Sequence, residues 1–374
     1  MERFQKLLED PHKYAIEWKA KTGGKVLGYF CHYFPEELVY AVGVLPVRVL
    51  SQPDIEGISQ RYLYGHFCPT SLGILAQGLK GNYDYLNGIG HAECCMSVRG
   101  AYASWRLHVP HEYEHFVAVP SHVDTPRARK LLRAEMSAFK RELEEWTGKT
   151  ITEEALNHAI EVYNTSRSLM RQVYELRRYD NPPITGAEAF EMILSSQIMD
   201  KEEHNKLLKD AINKLSTREE KNIGPRLMLL GSEISDTNLV RFIESTGATI
   251  VIDGLCNGSS YIWTNIVLQE DLLLAIAQRY LDKEPRCPMK DIRYRRRPTQ
   301  LMGLALDYNV QGVIYAIERF CHPHQFDRPP IEKALKERYI AFHNLEYDGT
   351  IPTLEFQTRL EAFIDTLRRP LVTI

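Results

Sequence analysis

The 374-residue chain contains no GxxxxGKS/T run, which excludes an ordinary P-loop for ATP. No GxGxxG follows a strand-like run. The nearest approach, Gly88-Ile89-Gly90-His91-Ala92-Glu93, lacks the third glycine, so an ordinary dinucleotide site is unsupported. The GxSxG of serine hydrolases is absent. CxxC is absent too, which argues against thioredoxin-like redox chemistry and the common zinc knuckles. No apolar run approaches the ~18 residues of a membrane helix, so no membrane span is expected. Charges break every apolar run in the opening MERFQKLLEDPHKYAIEW, unlike a signal peptide, and the expected location is the cytoplasm. Basic residues are not in surplus: 46 Lys and Arg face 49 Asp and Glu, for a net charge of -3. Nucleic acid is therefore not an expected partner. The one local basic cluster, DIRYRRRPTQ at 291–300, reads as a solvated helix start or an intersubunit patch, or else as a dock for an acidic partner or anion.

What the chain does have is cysteine in a telling arrangement. Six of its 7 cysteines stand apart, at Cys31, Cys68, Cys95, Cys256, Cys287 and Cys321, most beside loop-like Pro, Gly, His or Asn; Cys94 adjoins Cys95. The stretch between Cys95 and Cys256 has none. Structural disulfides are rare in the cytosol, where metal ligation or catalysis is the commoner use of such residues. A lone cysteine is often just a small buried hydrophobe. Six at turn-like positions weaken that explanation. Three cysteines early and three late suit two metal centres, or one large centre between two domains, and thiolates are the usual ligands of iron–sulfur clusters. Cys94 reads as a bystander.

Short runs such as the apolar KVLGYF, with its β-branched and aromatic residues, predict strands at 25–30, 45–50, 83–91 and 115–120, alternating with helices. A second series falls at 226–232, 248–254, 311–320 and 340–348, with a final helix at 353–369. Residues 1–20 read as one amphipathic helix. Residues 126–222 are long charged helices broken at Asp180-Asn181-Pro182-Pro183. The expected fold is α/β: two Rossmann-like, flavodoxin-like domains with parallel sheets, 1–125 and 223–374, joined by a helical connector, 126–222. Four of the six cysteines fall just past a predicted strand's C-terminal end, the edge where open α/β sheets bind ligands.

Three blocks carry a resemblance. GYFCHYFPEELVYAVGVLPVRV, FCPTSLGILAQGLKGNYDYLNGIGHAECCMSVRGAYASW and QGVIYAIERFCHPHQFDRPPIEKALKE occur in the order seen in the 2-hydroxyacyl-CoA dehydratase and benzoyl-CoA reductase family. The chain is similar to that family over nearly its whole length. His322 stands where the family usually has Asp. The resemblance implies that Cys68, Cys95 and Cys321 hold a 4Fe–4S cluster with one iron open. Many dehydratase subunits lack cysteines matching Cys31, Cys256 and Cys287. Having all three, the chain looks most like the double-cubane branch, in which six cysteines hold an 8Fe–9S cluster between the domains. That branch implies an ATP-dependent, low-potential, anaerobic iron–sulfur oxidoreductase acting on small unsaturated substrates. Its electrons come from a separate ATP-hydrolysing activator that carries its own 4Fe–4S cluster. A homodimer is implied, or alternatively a heterodimer with a related subunit. The alternative function is a 4Fe–4S subunit of a benzoyl-CoA reductase or 2-hydroxyacyl-CoA dehydratase; a non-enzymatic cluster carrier is a third reading. Candidate proton donors are His32, His66, His91, His322 and His324, each near a cysteine, with His32 and His322 favoured as catalytic. Glu36 and Glu37 read as a helix start, and Arg99 as a counter-charge or a partner for an acid.

Overall fold

The computed structural model describes residues 1–218, 224–350 and 354–368. The first half runs α1 (Glu2–Glu9), α2 (Lys13–Thr22), β1 (Val26–Tyr29), α3 (Glu36–Ala41), β2 (Leu45–Arg48), α4 (Pro69–Leu79), β3 (Gly88–Ala92), α5 (Met96–His108) and β4 (Tyr113–Val117). Four helices follow: α6 (Pro126–Thr147), α7 (Glu153–Glu175), α8 (Gly186–Ser195) and α9 (Lys201–Leu215). The second half runs β5 (Arg226–Gly231), α10 (Asn238–Ser245), β6 (Thr249–Asp253), α11 (Ser259–Ile262), α12 (Leu272–Leu281), α13 (Arg297–Asp307), β7 (Gly312–Glu318), α14 (His322–Lys336), β8 (Ala341–Tyr347) and α15 (Leu354–Arg368).

All strand pairs within the two sheets are parallel, in the orders β2-β1-β3-β4 and β6-β5-β7-β8. Both are the flavodoxin-like order, so the two expected Rossmann-like units are present. Six of the eight strands are buried at every position, as β-strands covered on both faces must be; β4 and β8, at the edges, are not. In each sheet the chain reverses direction between the first and third strands. A crevice opens there at the strands' C-terminal ends.

The long helices start and stop by local chemistry. Thr125 accepts from the Ala128 N–H ahead of Pro126, and Gly148 ends α6 in the left-handed conformation. Thr185 and Glu188 form a capping box on α8, and Asp200 caps α9. The packing does not follow sequence order. α6 and half of α7 pack into the first core, α8 and α9 into the second. α12, which comes after β6 in sequence, packs on α6 in the first core through Leu272, Ile276 and Tyr280. α1 lays Phe4 on α8 in the second.

Several boundaries differ from expectation. The N-terminal helix splits in two at Asp10-Pro11, because proline does not continue a helix. The strand predicted over 83–91 begins only at Gly88; the buried Tyr83 instead turns its hydroxyl to the Leu50 N–H, and Asn87 accepts from the Val26 N–H. α14 starts at His322, well ahead of Pro329-Pro330, because Pro323 sits in its first turn, with Cys321 at the N-cap position. The basic cluster at 291–300 is a helix start, with Arg297 buried. The connector's expected end at 222, and the helix ends at 353 and 369, lie outside the described residues. Among the described residues no helix is long and apolar enough to cross a membrane.

Candidate metal centre

Every cysteine of the chain lines one cavity, whose empty volume is about 580 Å³. Cys31 follows β1, Cys95 follows β3, Cys256 follows β6 and Cys321 follows β7, so both sheets deliver thiols from their C-terminal edges. Cys68, Cys95 and Cys321 are the N-cap residues of α4, α5 and α14, and Cys287 caps a short 3-10 turn. Helix N-termini favour thiolate over thiol.

The thiols fall into two groups by the electrostatic influence they exert on each other. Cys68 feels Cys95, and Cys321 feels both Cys68 and Cys95. Cys256 feels Cys287 and Cys31, and Cys287 feels Cys31, while Cys95 also feels Cys31 and so joins the two sets. Each trio therefore draws on both halves of the chain. The early-three and late-three order of the sequence does not reappear in these influences.

Burial pushes the thiols of Cys68, Cys256 and Cys321 well up, and that of Cys287 up to about 12. Cys31 goes the other way: against burial, a hydrogen bond from Cys94 and the Arg48 guanidinium bring it down to about 7. Cys95 is lowered by Cys94, against burial, and helped by the Val98 and Ser97 N–H groups. Cys94, set aside on sequence grounds, stands between Cys31 and Cys95, with its sulfur 3.8 Å from His91 Nε2.

The structure separates the five candidate histidines. His32 lines the cavity; Lys283 Nζ lies 3.0 Å from its Nδ1 and donates to its carbonyl at 2.9 Å. Its Nε2 has no partner among the described residues, and burial next to Lys283 holds the ring neutral. His322 and His66 are exposed and do not line the cavity. The place expected for His322 is taken by His324, buried, with Nε2 3.8 Å from Cys256 Sγ. His91 is buried behind Cys94. Burial takes His91 and His324 down to about 3. Arg99 pairs with Glu93 at 3.2 Å.

Glu36 and Glu37 do more than start a helix. Glu37 pairs with Arg167 of α7 and accepts from Tyr280 of α12 at 2.8 Å, while Glu36 accepts from Tyr261 at 3.0 Å. These bonds fix the loop that carries Cys31 against both cores.

Sequence reasoning missed Arg48, Glu233 and Glu318. Arg48 closes β2, lines the cavity and pairs with Glu233, just beyond β5. Glu318 closes β7 and accepts from the Thr70 N–H at 3.1 Å and hydroxyl at 2.9 Å; burial raises its pKa to about 7. Each is a charge within or just past a buried strand's C-terminal end, which is the signal that was available. Glu233, Glu318 and Thr70 also line a second, adjoining pocket of about 470 Å³, together with Ser51, Asp236 and Tyr347.

Among the described residues no group of three His, Cys, Asp or Glu could hold a single metal ion. A polynuclear cluster suits such a set better, since its cysteines bind different irons. Six dispersed thiols, three of them on helix N-termini, and a buried arginine at the wall fit an iron–sulfur cluster of that kind.

The chain is 26% identical to the beta subunit of (R)-phenyllactyl-CoA dehydratase from Clostridium sporogenes, with 97% of each chain covered. It is 26% identical to one of the subunits of benzoyl-CoA reductase from Thauera aromatica, covering 95% of this chain and 94% of that one. It is 26% identical to the beta subunit of (R)-2-hydroxyglutaryl-CoA dehydratase from Acidaminococcus fermentans, with 98% of each covered. The family model described as 2-hydroxyglutaryl-CoA dehydratase, D-component, matches residues 31–367, and the chain belongs to that family.

Proposed function

We propose that the chain is the substrate-reducing component of an ATP-dependent, low-potential iron–sulfur enzyme. Cys68, Cys95 and Cys321 would hold one cubane, and Cys31, Cys256 and Cys287 the other, of an 8Fe–9S double cubane. The observation that carries this reading is the meeting of six thiols at one cavity. Bound there, the cluster would supply stored low-potential electrons for reducing a small unsaturated molecule. The chain's own residues bind and shield it. His32, its Nδ1 engaged by Lys283, keeps its proton on Nε2 at the cavity wall. The sequence lacks a P-loop, so ATP hydrolysis falls to a separate cluster-bearing activator, which passes electrons one at a time. The relatives' names as subunits support work in a multi-subunit assembly, here a dimer.

The adjoining pocket supports a small substrate. Its carboxylates are Glu233, Asp236 and Glu318, and among the described residues no Lys or Arg lines it. The phosphates of a CoA thioester would find no counter-charge there.

A second reading is favoured by the relatives' names: a 4Fe–4S subunit of an acyl-CoA dehydratase or benzoyl-CoA reductase. Iron and sulfide analysis of anaerobically purified protein separates the two. About eight iron per chain supports the double cubane, about four the second reading. An assay with activator, ATP and reductant should then show reduction of a small triple-bonded substrate. Turnover of an acyl-CoA alone, or turnover without ATP, would refute the proposal.

A further inference from the structure

We propose that Arg48 donates hydrogen bonds to the group held by the six cysteines and raises its reduction potential, while Glu233 offsets that charge from the opposite domain. This deepens the cluster reading above and rests on it.

Among the described residues Arg48 is the only Lys or Arg lining the cavity, and its side chain is 1% exposed. Its Nη2 bonds Glu233, but Nε and Nη1 are buried with no partner among the described residues. Nearby cations are committed elsewhere. Arg297 bonds Asp327, the Arg286 carbonyl and the Gly254 carbonyl. Lys290 donates to the Val119 carbonyl, and Lys283 is held at His32. A buried guanidinium with idle N–H groups is costly, and an anion in the cavity relieves that cost.

The guanidinium is also held in place. The Arg48 N–H donates to the Gln197 carbonyl at 2.7 Å, and the side chain lies over the Tyr29 ring at 5.7 Å. Cys31 and Cys256 are among the charges it feels most, and both belong to the trio nearer β1 and β6. Hydrogen bonds to cluster sulfurs and net charge are two of the levers on an iron–sulfur potential. A fixed positive charge favours the reduced, more negative state. A carboxylate on the same guanidinium partly cancels it.

The two residues should therefore act with opposite sign. Wild type, Arg48→Gln, Arg48→Lys and Glu233→Gln are loaded anaerobically and assayed for iron and sulfide, and redox titrations are followed by electron paramagnetic resonance. Arg48→Gln should lower the reduced-to-oxidised ratio at fixed potential about tenfold, a 59 mV fall for a one-electron couple. Glu233→Gln should raise the midpoint, and Arg48→Lys should lie between Arg48→Gln and wild type. Unchanged midpoints in iron-loaded variants, or shifts of the same sign, would overturn the proposal. If Arg48→Gln binds no iron, Glu233→Gln decides by the sign of its shift, because it keeps the guanidinium. If wild type itself takes up no iron, the cluster reading fails first and takes this one with it.

Discussion

Replacing Arg167 by methionine should destabilise the whole chain by a predictable amount. Arg167, on α7, is 3% exposed, and its partner Glu37, on α3, is fully buried. Burial opposes ionisation of Glu37, yet Arg167 and then Arg279 keep its pKa below the ordinary carboxylate value. Methionine fills similar space but leaves the carboxylate with Tyr280 as its direct donor. Stripping one partner from a buried pair costs about 3–5 kcal/mol. Unfolding entropy near 2.1 cal/mol/K per residue gives roughly 0.8 kcal/mol/K for 374 residues unfolding together. The expected fall in Tm is therefore about 4–6 °C by calorimetry. Replacing Glu37 by methionine as well should recover at least half of that loss, because no charge is then left alone. A single variant melting with wild type, or a double variant melting below the single one, would refute the reasoning.

Three further outcomes follow from particular contacts. Gly231 closes β5 with φ of 123°, and a Cβ there would stand 1.7 Å from the Ala316 carbonyl oxygen; Gly231→Ala should cost more than about 4 kcal/mol in denaturant unfolding, and near-wild-type stability would contradict this account. His204, buried on α9 beside Ser195, has its pKa lowered to about 3 by burial and then by Lys201. The unfolded chain takes up its proton below about pH 6.5 while the folded chain does not, so stability is lost as pH falls. At pH 5 the loss is about 2 kcal/mol, and His204→Gln should show a correspondingly flatter urea-unfolding profile between pH 7 and 5; an unchanged profile would count against it. Cys94→Ala should retain its iron while Cys95→Ala loses much of it, since Cys95 is the one that groups with Cys68 and Cys321; the reverse result would assign Cys94 to the centre.

Much of the fold was legible because parallel strands are buried on both faces and leave compact apolar runs, as in RLMLLG and TIVID. The cysteines were legible because each follows such a run or opens a helix. Their grouping was not. It depends on two sheet edges facing each other, and nothing local in sequence encodes which thiol crosses to which. His322 was misplaced for a local reason: the helix starts right after Cys321, and its turn sends His322 to solvent and His324 inward. Arg48 was overlooked because LPVRVL reads as an ordinary strand, although an arginine inside a fully buried run needs a partner. The placement of α12 was invisible, since its apolar stripe suits either core.

The exchanged helices α1 and α12 turn the two halves into a clasp. Swinging the sheets apart would peel Leu272, Ile276 and Tyr280 off α6, exposing a core rather than sliding along a smooth seam. Reagents must therefore reach the thiols without such an opening, through the cavity as it stands, where Cys94, Cys95, Cys256 and Cys321 are part-exposed. Cutting the chain between the sheets would leave two fragments, each missing a helix that its own core requires. Neither half is a freestanding part, and any centre built at their junction must be installed with both halves already joined.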